Sequence, residues 1–311
     1  MACNNQTWVN EFILLGLSND WKTQIYLFVL FLSMYLVTML GNFLIIHLIR
    51  LDTRLHTPMY FFLSVLSTVD ICYMNSTVPQ MLVHFLSSRK SIPFHSCVFQ
   101  FYISLALGGT EFFLLGAMAY DRYVAVCYPL HYTVIMHRGL CMALAAVCWG
   151  AGFLNSLMET IITFRLPLCK DVINHFACET LAVLRLACVD ISFNKIMVTF
   201  SGFVVIMLPC SLVLFSYAQI VKAILRIHST QGRRKAFGTC ASHLTVVSLC
   251  FGATIFIYMW PQATSSTENE KMIALFYTTV TPMLNPMIYS LRNKEVMGAL
   301  RKALKRFSEE T

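Results

Sequence analysis

The chain has 311 residues, of which 57% are hydrophobic and only 12% are charged. A soluble domain carries about 25% charged residues, so this composition excludes an ordinary water-soluble fold. The net charge of +8 does not require a nucleic-acid partner, because the distribution of basic residues about a membrane accounts for it.

Seven apolar segments are long enough to cross a membrane as helices, which takes about 20 residues each. Asp70 and Glu111 each interrupt one of these segments. The pattern predicts an all-α membrane protein with one domain over residues 1–311: an extracellular tail (1–22), a seven-helix bundle (23–291) and a cytoplasmic tail (292–311). The segments are Thr23–Ile49, Thr57–Ser88, Ser91–Tyr120, Gly139–Met158, Ile196–Val221, Ala236–Thr267 and Met272–Leu291.

The basic residues predict the orientation of the bundle. Of the 23 Lys and Arg residues, 15 lie in loops on the side of Arg122 and the C-terminus. Positive loops stay inside, so we expect a cytoplasmic C-terminus and an extracellular N-terminus. Residues 1–20 lack the pattern of a cleavable signal peptide, and the first span is expected to direct its own insertion. Asn5 begins a glycosylation sequon on the predicted outer side.

A charge pair marks the inner end of the third span, in the stretch MAYDRYVAVC. Asp121 and Arg122 follow nine uncharged residues, at the depth where a membrane helix meets water and the cost of burying charge is partly relieved. Arg122 there can pair with Asp121 or exchange it for another partner. The alternative is an ordinary basic anchor at a helix end.

Two intramembrane acids are predicted to lie at one depth. Asp70 lies about 18 Å along its helix from Pro58, and Glu111 about 16 Å before Arg122. Intramembrane acids usually face the bundle interior and mark function. Two ionised carboxylates repel each other, so we expect either a shared proton or a bound sodium ion. Asn42 and Asn285 are the oxygen donors that would help to bind sodium.

Four cysteines are predicted on the outer side, where disulfides persist. Cys97 precedes Arg122 by about 37 Å of helix, more than the thickness of the hydrocarbon layer. Cys169, Cys178 and Cys188 lie in the long loop between spans four and five. These four cysteines allow three connectivities.

The last two spans carry further polar residues. His243 lies about 12 Å inside span six, where a buried core histidine and a functional one are equally good interpretations. Pro286 removes a backbone hydrogen bond in span seven, and Asn285 can use the freed groups. Residues 293–307 predict a short amphipathic helix on the anionic inner leaflet. Its apolar face is Val296, Met297, Leu300, Leu304 and Phe307.

Six stretches, in this order and spacing, resemble the odorant receptors among the rhodopsin-like G-protein-coupled receptors, and in particular the terrestrial-type class. They are Gly41-Asn42, LHTPMYFFLS, MAYDRYVAVCYPLHY, Ser216-Tyr217, KAFGTCASHLTVV and PMLNPMIYSLRN. The resemblance covers nearly the whole chain. It departs at Cys250-Phe251-Gly252, where the family usually has Phe-Tyr-Gly, and this puts in doubt any hydrogen bond from that missing hydroxyl.

The resemblance implies roles for residues at matching positions. Arg122 would be the activation switch and G-protein contact, and Tyr217 and Tyr289 would move to meet it. Cys97 would pair with Cys178, and Cys169 with Cys188. Asp70 and Glu111 would form the inner polar site. The full activation set is Asp121, Arg122, Tyr123, Tyr217, His243, Asn285, Pro286 and Tyr289.

The resemblance also places an odorant pocket in the outer halves of spans three, five, six and seven. Helix periodicity counted from Arg122 selects one face of span three. The lining would be apolar with a few hydroxyls, as small-molecule sites tend to be. The candidates are Phe101, Ser104, Leu105, Gly108, Phe112, Val198, Ser201, Val205, Phe251, Thr254, Ile255, Tyr258, Leu275 and Thr278.

The lack of charged residues at two pocket positions limits the kinds of ligand that the pocket can bind. The absence of an acid near Ser104 argues against an amine bound by a salt bridge there, and the absence of a Lys in span seven excludes a retinal Schiff base. Glu159 either pairs with loop residues such as Arg165 or His175 or tunes the ligand, and we favour the structural role.

These observations favour a receptor that binds volatile small molecules and activates a stimulatory G protein to raise cAMP at the plasma membrane. No cofactor is expected, apart from the sodium ion. The alternative is a seven-helix transporter or channel, but no duplicated half or paired broken spans are evident. An enzyme is not expected, since none of the familiar hydrolase or metalloprotease motifs occurs.

Overall fold

We describe the protein from a computed structural model over residues 9–226, 228–259, 271–272, 274–292 and 295–302. Long helices dominate the structure. They are α1 (Trp21–Leu51), α2 (Pro58–Leu86), α3 (Phe94–Cys127), α5 (Arg138–Phe164), α7 (Ser192–Leu225), α8 (Thr230–Met259) and α9 (Thr281–Arg292), with short helices α4 (Tyr132–Ile135) and α6 (Thr180–Leu184) in the connections. One π-helical turn, Phe276–Val280, leads into α9.

The seven-helix bundle predicted from the apolar segments is confirmed. Within the described residues, α1, α2, α3, α5 and α7 are long and apolar enough to cross a membrane, and α8 and α9 complete the bundle. Two sequence signals set helix starts. Asp20 caps α1 by accepting a hydrogen bond from the Thr23 amide at 2.9 Å, and Pro58 occupies the first turn of α2, where its missing N–H costs nothing.

The connection between α7 and α8 is shorter than residues 222–235, the gap between the fifth and sixth apolar segments. Helix α7 continues to Leu225 and α8 begins at Thr230. Both helices therefore extend beyond their apolar segments, because polar residues can continue a helix once it leaves the membrane. The hydrophobic run marks the membrane-embedded part of each helix and not its full length.

Helix α3 lies at the centre of the bundle and packs against α2, α5, α7 and α8. Its closest approach is to Gly152 of α5. A Cβ atom at Gly152 would lie 2.4 Å from Thr110 Oγ1 and 2.6 Å from the Ala106 carbonyl oxygen. Only glycine fits at this crossing, in the manner of small-residue packing between membrane helices.

A three-stranded sheet covers one end of the bundle, which we call the disulfide end. Strand β1 (Glu11–Leu14) pairs antiparallel with β2 (Ser91–Pro93) and parallel with β3 (Val172–Ile173). The sequence reasoning predicted an all-α chain and missed this sheet, because four residues are too few to show a clear alternation. Phe12 and Leu14 nevertheless point inward with 0% and 1% exposure, as the two-residue period of a strand requires.

Residues 295–302 after α9 are helical, as predicted. Val296 and Ala299 are buried against the main core, and Tyr60 of α2 donates a hydrogen bond to Glu295 at 2.6 Å. The described part of this segment therefore packs against the bundle. Leu304 and Phe307 of the predicted apolar face lie outside the described residues, and binding to the inner leaflet stays a prediction.

Candidate functional site

The Asp121–Arg122 pair is buried at the opposite end of the bundle, which we call the Arg122 end. Asp121 is 1% and Arg122 6% exposed. The Arg122 guanidinium donates to Asp121 Oδ2 from Nε at 2.9 Å and also from Nη2. The second oxygen, Oδ1, accepts from the hydroxyl of Tyr132 at 2.7 Å. Both carboxylate oxygens are therefore engaged, and the local pair predicted from the sequence is present.

Tyr132 belongs to the short helix α4, outside the spans, and its role was not predicted. Burial, together with the Asp121 carboxylate, raises the pKa of the Tyr132 hydroxyl above its usual range, so it stays a neutral donor. Tyr123, in contrast, points away from the pair. Its hydroxyl lies 3.4 Å from that of Tyr128, and its ring lies 6.2 Å from that of Phe215.

His243 connects three helices near the Arg122 end. Its Nε2 lies 3.2 Å from the carbonyl oxygen of Leu115 on α3, and its Nδ1 lies 2.8 Å from the hydroxyl of Tyr217 on α7. A carbonyl can only accept, so Nε2 carries the proton and Nδ1 accepts from Tyr217. Both ring nitrogens are satisfied, and in this conformation Tyr217 bonds to His243. The side chain of Tyr289 lies outside the described residues.

Asp70 and Glu111 converge on a single amide in the middle of the bundle. Asn285 Nδ2 lies 3.1 Å from Asp70 Oδ2 and 3.1 Å from Glu111 Oε1. The following residue, Pro286, lies against α1, where a Cβ on Gly41 would be 3.2 Å from the Pro286 Cβ. The structure thus brings together two acids that are far apart in the sequence.

Asn42, the other oxygen donor predicted from the sequence, contacts the backbone of α9. Asn42 donates to the carbonyl oxygens of Thr38 and Pro282 at 3.1 and 3.3 Å, while its buried Oδ1 has no hydrogen-bond partner among the described residues. Two carboxylates and a spare amide oxygen are ligands suited to a hard cation. Rotation of Asn285 would replace its donating nitrogen with a further oxygen ligand.

The predicted ligand face of α3 is divided among three neighbours. Phe101 packs its ring 5.2 Å from Phe164 in the core at the disulfide end, and Leu105 borders the same core. Ser104 instead contacts the hydroxyl of Ser76 on α2 at 3.2 Å. These residues share one face of α3 but meet different neighbours along it, because α3 is central and packs against several helices. Their role as ligand contacts stays a prediction.

Two further α3 candidates lie deeper in the bundle. Phe112 packs its ring 5.3 Å from that of Phe251 on α8. Gly108 borders open space, because a Cβ atom there would meet no atom of the described residues within 4 Å. The role of both positions as ligand contacts stays a prediction.

The remaining candidates lie on α7, α8 and the last helical segment. Val198 is half-buried and Val205 is buried, while Leu275 packs in a core formed mainly with α1 and α2. The Thr278 hydroxyl bonds to its own helix, at the Ala274 carbonyl oxygen. The side chains of Thr254, Ile255 and Tyr258 lie outside the described residues.

Glu159 and Ser201 meet between α5 and α7. The Ser201 hydroxyl lies 2.5 Å from Glu159 Oε1 and 2.8 Å from Asn155 Oδ1, and Asn155 Nδ2 donates to Glu159 Oε1 at 3.0 Å. The expected pairing of Glu159 with Arg165 or His175 is wrong. Asn155 lies one helical turn before Glu159, where an i, i+4 contact forms without help from the loop.

The disulfides are Cys97–Cys178 and Cys169–Cys188, with Cα–Cα distances of 5.6 and 5.7 Å. This is the connectivity that the resemblance implied. Gln100 reinforces the first bridge, because its Oε1 accepts from the Cys178 amide at 3.0 Å and its Nε2 donates to Gln80. Sequence reasoning missed Gln100, although its position one turn after Cys97 was the available signal.

Comparison with known proteins agrees with these features. The family model described as olfactory receptor matches residues 31–306. The chain is 62% identical to olfactory receptor-like protein OLF3 of Canis lupus familiaris over 98% of this chain and 96% of that protein. It is 60% identical to olfactory receptor 2F1 of Homo sapiens over 99% and 98%, respectively.

The match extends over the whole bundle, from α1 to the helical residues after α9. These relatives are multi-pass receptors and not enzymes, in agreement with the expectation from the sequence. The apolar helices independently indicate a multi-pass membrane protein. The chain belongs to the olfactory receptor family.

Proposed function

We propose that the protein binds volatile, mostly apolar small molecules inside its bundle and activates a stimulatory olfactory G protein, which raises cAMP. The proposal places it in the plasma membrane with the disulfide end outside and the Arg122 end in the cytoplasm. Asn5, at the outer end, would carry a glycan. The excess of Lys and Arg on the Arg122 side supports this orientation.

The observation that carries the signalling proposal is the buried Asp121–Arg122–Tyr132 cluster. It holds the guanidinium inside the bundle through contacts that exchange for others without unfolding a helix. A buried ion pair is costly to break, so a conformation that releases Arg122 must supply replacement contacts. A G protein docked at this end would supply them, and its binding would favour the open conformation through that difference in affinity.

Residues at the centre of the bundle support the proposed odorant pocket. Gly108 borders open space, and Phe112 and Phe251 offer aromatic surface beside it. Apolar surroundings with few polar groups would suit a small volatile molecule. We keep Thr254, Ile255 and Tyr258 as candidate ligand contacts.

We further propose that sodium binds between Asp70 and Glu111 when Asn285 turns its oxygen toward them. The ion would favour the conformation in which both carboxylates face one point. Asn42 Oδ1, which is buried and has no partner in the part of the chain that the structure describes, supports the proposal as a source of a further ligand.

The function is tested by expressing an N-terminally tagged chain in cells, verifying surface delivery, and measuring cAMP against an odorant panel. We expect at least one odorant to raise cAMP, and we expect the response to disappear when the stimulatory G protein is deleted. Odorant-driven ion flux that persists without any G protein would contradict the proposal and favour a channel.

A further inference from the structure

Glu159 is a buried acid with no role in the signalling cluster, the disulfides or the sodium proposal. It is 4% exposed, and Ser201 beside it is 3% exposed. None of the ion pairs found among the described residues includes Glu159. A buried carboxyl without a cation is costly, unless it is neutral or a ligand supplies the charge.

The three contacts among Glu159, Asn155 and Ser201 close a ring of hydrogen bonds, and each bond needs one hydrogen. Ser201 has a single hydroxyl hydrogen. Asn155 enters the ring through both its amide nitrogen and its oxygen, so it donates once and accepts once. A protonated Glu159 carboxyl would supply the third hydrogen. Exchanging the oxygen and nitrogen of Asn155 leaves this count unchanged.

The ring lies where α3, α5 and α7 meet. Ser156, three residues before Glu159, donates to the Tyr102 carbonyl oxygen of α3 at 2.6 Å, which places this strip of α5 against α3. Val205, one turn after Ser201, lies beside Gly109 of α3. Residue 108, next along α3, borders the open space of the proposed pocket. Ser201 of the ring is therefore about one helical turn from the part of α3 that borders that space, on its disulfide side.

The same ring stabilises an ionised Glu159 once a positive ligand is present. Ser201 can turn its hydrogen from Asn155 Oδ1 to Glu159 Oε1, which Asn155 Nδ2 already contacts. The carboxylate would then accept two hydrogen bonds at Oε1, and bonds to a charged acceptor are the stronger kind. No hydrogen bond to Oε2 is found in the described part of the chain, so that oxygen is left for the ligand.

We propose that Glu159, with Ser201 and Asn155, is a recognition site for volatile amines. Once Ser201 donates its hydrogen to Oε1, the carboxyl proton is held on Oε2, where an amine nitrogen takes it: the Glu159 O–H bond breaks, its electron pair stays on the carboxylate, and a new N–H bond makes the ligand an ammonium ion. The resulting ion pair is strong because the site excludes water. An alcohol would only exchange one neutral hydrogen bond for another, so the site favours amines over alcohols of the same shape.

This proposal rests on the proposed odorant-receptor function, and the test compares volatile aliphatic amines with alcohols of identical carbon skeleton. We expect an amine in the panel to raise cAMP more potently than its alcohol. Glu159→Gln should weaken the amine by about a hundredfold or more, since it removes one partner of a buried charge pair. It should leave a neutral agonist nearly unchanged. Asp190→Asn, which removes an exposed carboxylate before α7, is the matched control for general electrostatic attraction and should change neither response.

A second measurement guards against a Glu159→Gln variant that fails to fold. Infrared spectroscopy of the purified protein should show a protonated-carboxyl band that this variant removes, and amine addition to the wild type should convert that band to a carboxylate band. Ser201→Ala should weaken the amine by roughly ten- to a hundredfold, as expected for a bond to a charged acceptor.

Either of two results would overturn the proposal: amine responses that survive Glu159→Gln, or neutral odorants that activate a protein to which no amine binds. If no odorant of any kind raises cAMP in delivered protein, the receptor function itself fails. In that case the infrared band and its response to amine still decide the role of Glu159.

Discussion

Tyr217 donates a 2.8 Å hydrogen bond to His243, and their rings stack with centroids 5.8 Å apart. This contact joins α7 to α8, while the other nitrogen of His243 ties the pair to α3. The family resemblance assigns Tyr217 a contact with Arg122 in the active state. If Tyr217 moves to Arg122 on activation, as the resemblance implies, it must first leave His243.

Replacing His243 with Phe should raise basal cAMP. The ring contact remains, but two neutral hydrogen bonds that favour this conformation are lost, each with a net value of about 0.5–1.5 kcal/mol. Basal cAMP normalised to surface protein is the measurement. Ser216→Ala is the control, because the buried Ser216 hydroxyl has no hydrogen-bond partner within the described ranges. Equal basal signalling in both variants would show that His243 only fills space.

Arg122→Ala should abolish odorant-driven cAMP while the protein still reaches the cell surface. Arg122→Lys should restore little, because an ammonium lacks the planar fork that engages Asp121 through two nitrogens. The measurement pairs a cAMP dose–response with surface labelling. Normal signalling from a well-delivered Arg122→Ala variant would end the assignment of Arg122 as the switch.

Raising sodium against an impermeant substitute, at constant ionic strength, should lower agonist-driven cAMP. Glu111→Gln removes one of the two converging charges while keeping the side-chain shape, so it should blunt the sodium response. The effect can be no larger than the difference in sodium affinity between the two conformations. A wild-type response indifferent to sodium but sensitive to pH would favour a proton shared by Asp70 and Glu111.

Cys97→Ser should lower the free energy of unfolding by about 2–5 kcal/mol, by analogy with small secreted domains. It should therefore block export. The bridge fastens the loop before α7 to the first turn of α3. Cys72, a free and exposed cysteine of α2, provides the control Cys72→Ser, which should be delivered normally. Surface labelling of tagged protein measures both variants, and normal export of Cys97→Ser would refute the prediction.

Gly152→Ala should prevent folding or export. Its new methyl group would lie 2.4 Å from Thr110 Oγ1 and 2.6 Å from a backbone carbonyl, and overpacking of this kind costs about 1–3 kcal/mol or more. Gly150→Ala is matched in chemistry and sequence position, but its Cβ would meet no atom within 4 Å. Thermal denaturation of purified protein should separate the two. Similar melting temperatures would mean that α3 and α5 adjust freely.

The sequence predicted the bundle well because membrane burial gives a strong and continuous signal. Motif spacing likewise placed Asp70 and Glu111 at one depth, since helical rise is regular. Motif spacing could not predict that Asn285 would bridge Asp70 and Glu111, because a contact between side chains of different helices depends on the rotation of each helix about its axis. The error at Glu159 has a different origin: the i, i+4 spacing of Asn155 and Glu159 on one helix was available in the sequence, and this local contact replaces the expected loop partner.

The sheet at the disulfide end also constrains the order in which the chain assembles. Strand β1 is made first, yet its parallel partner β3 follows α5 in the sequence. Its backbone groups therefore have no partner on that side until four long helices have been synthesised. Pairing over such a sequence distance is intrinsically slow, and an unpaired edge invites wrong association. The N-terminal strand thus acts as a late check on biogenesis, since it closes only over a bundle whose first half is already in place.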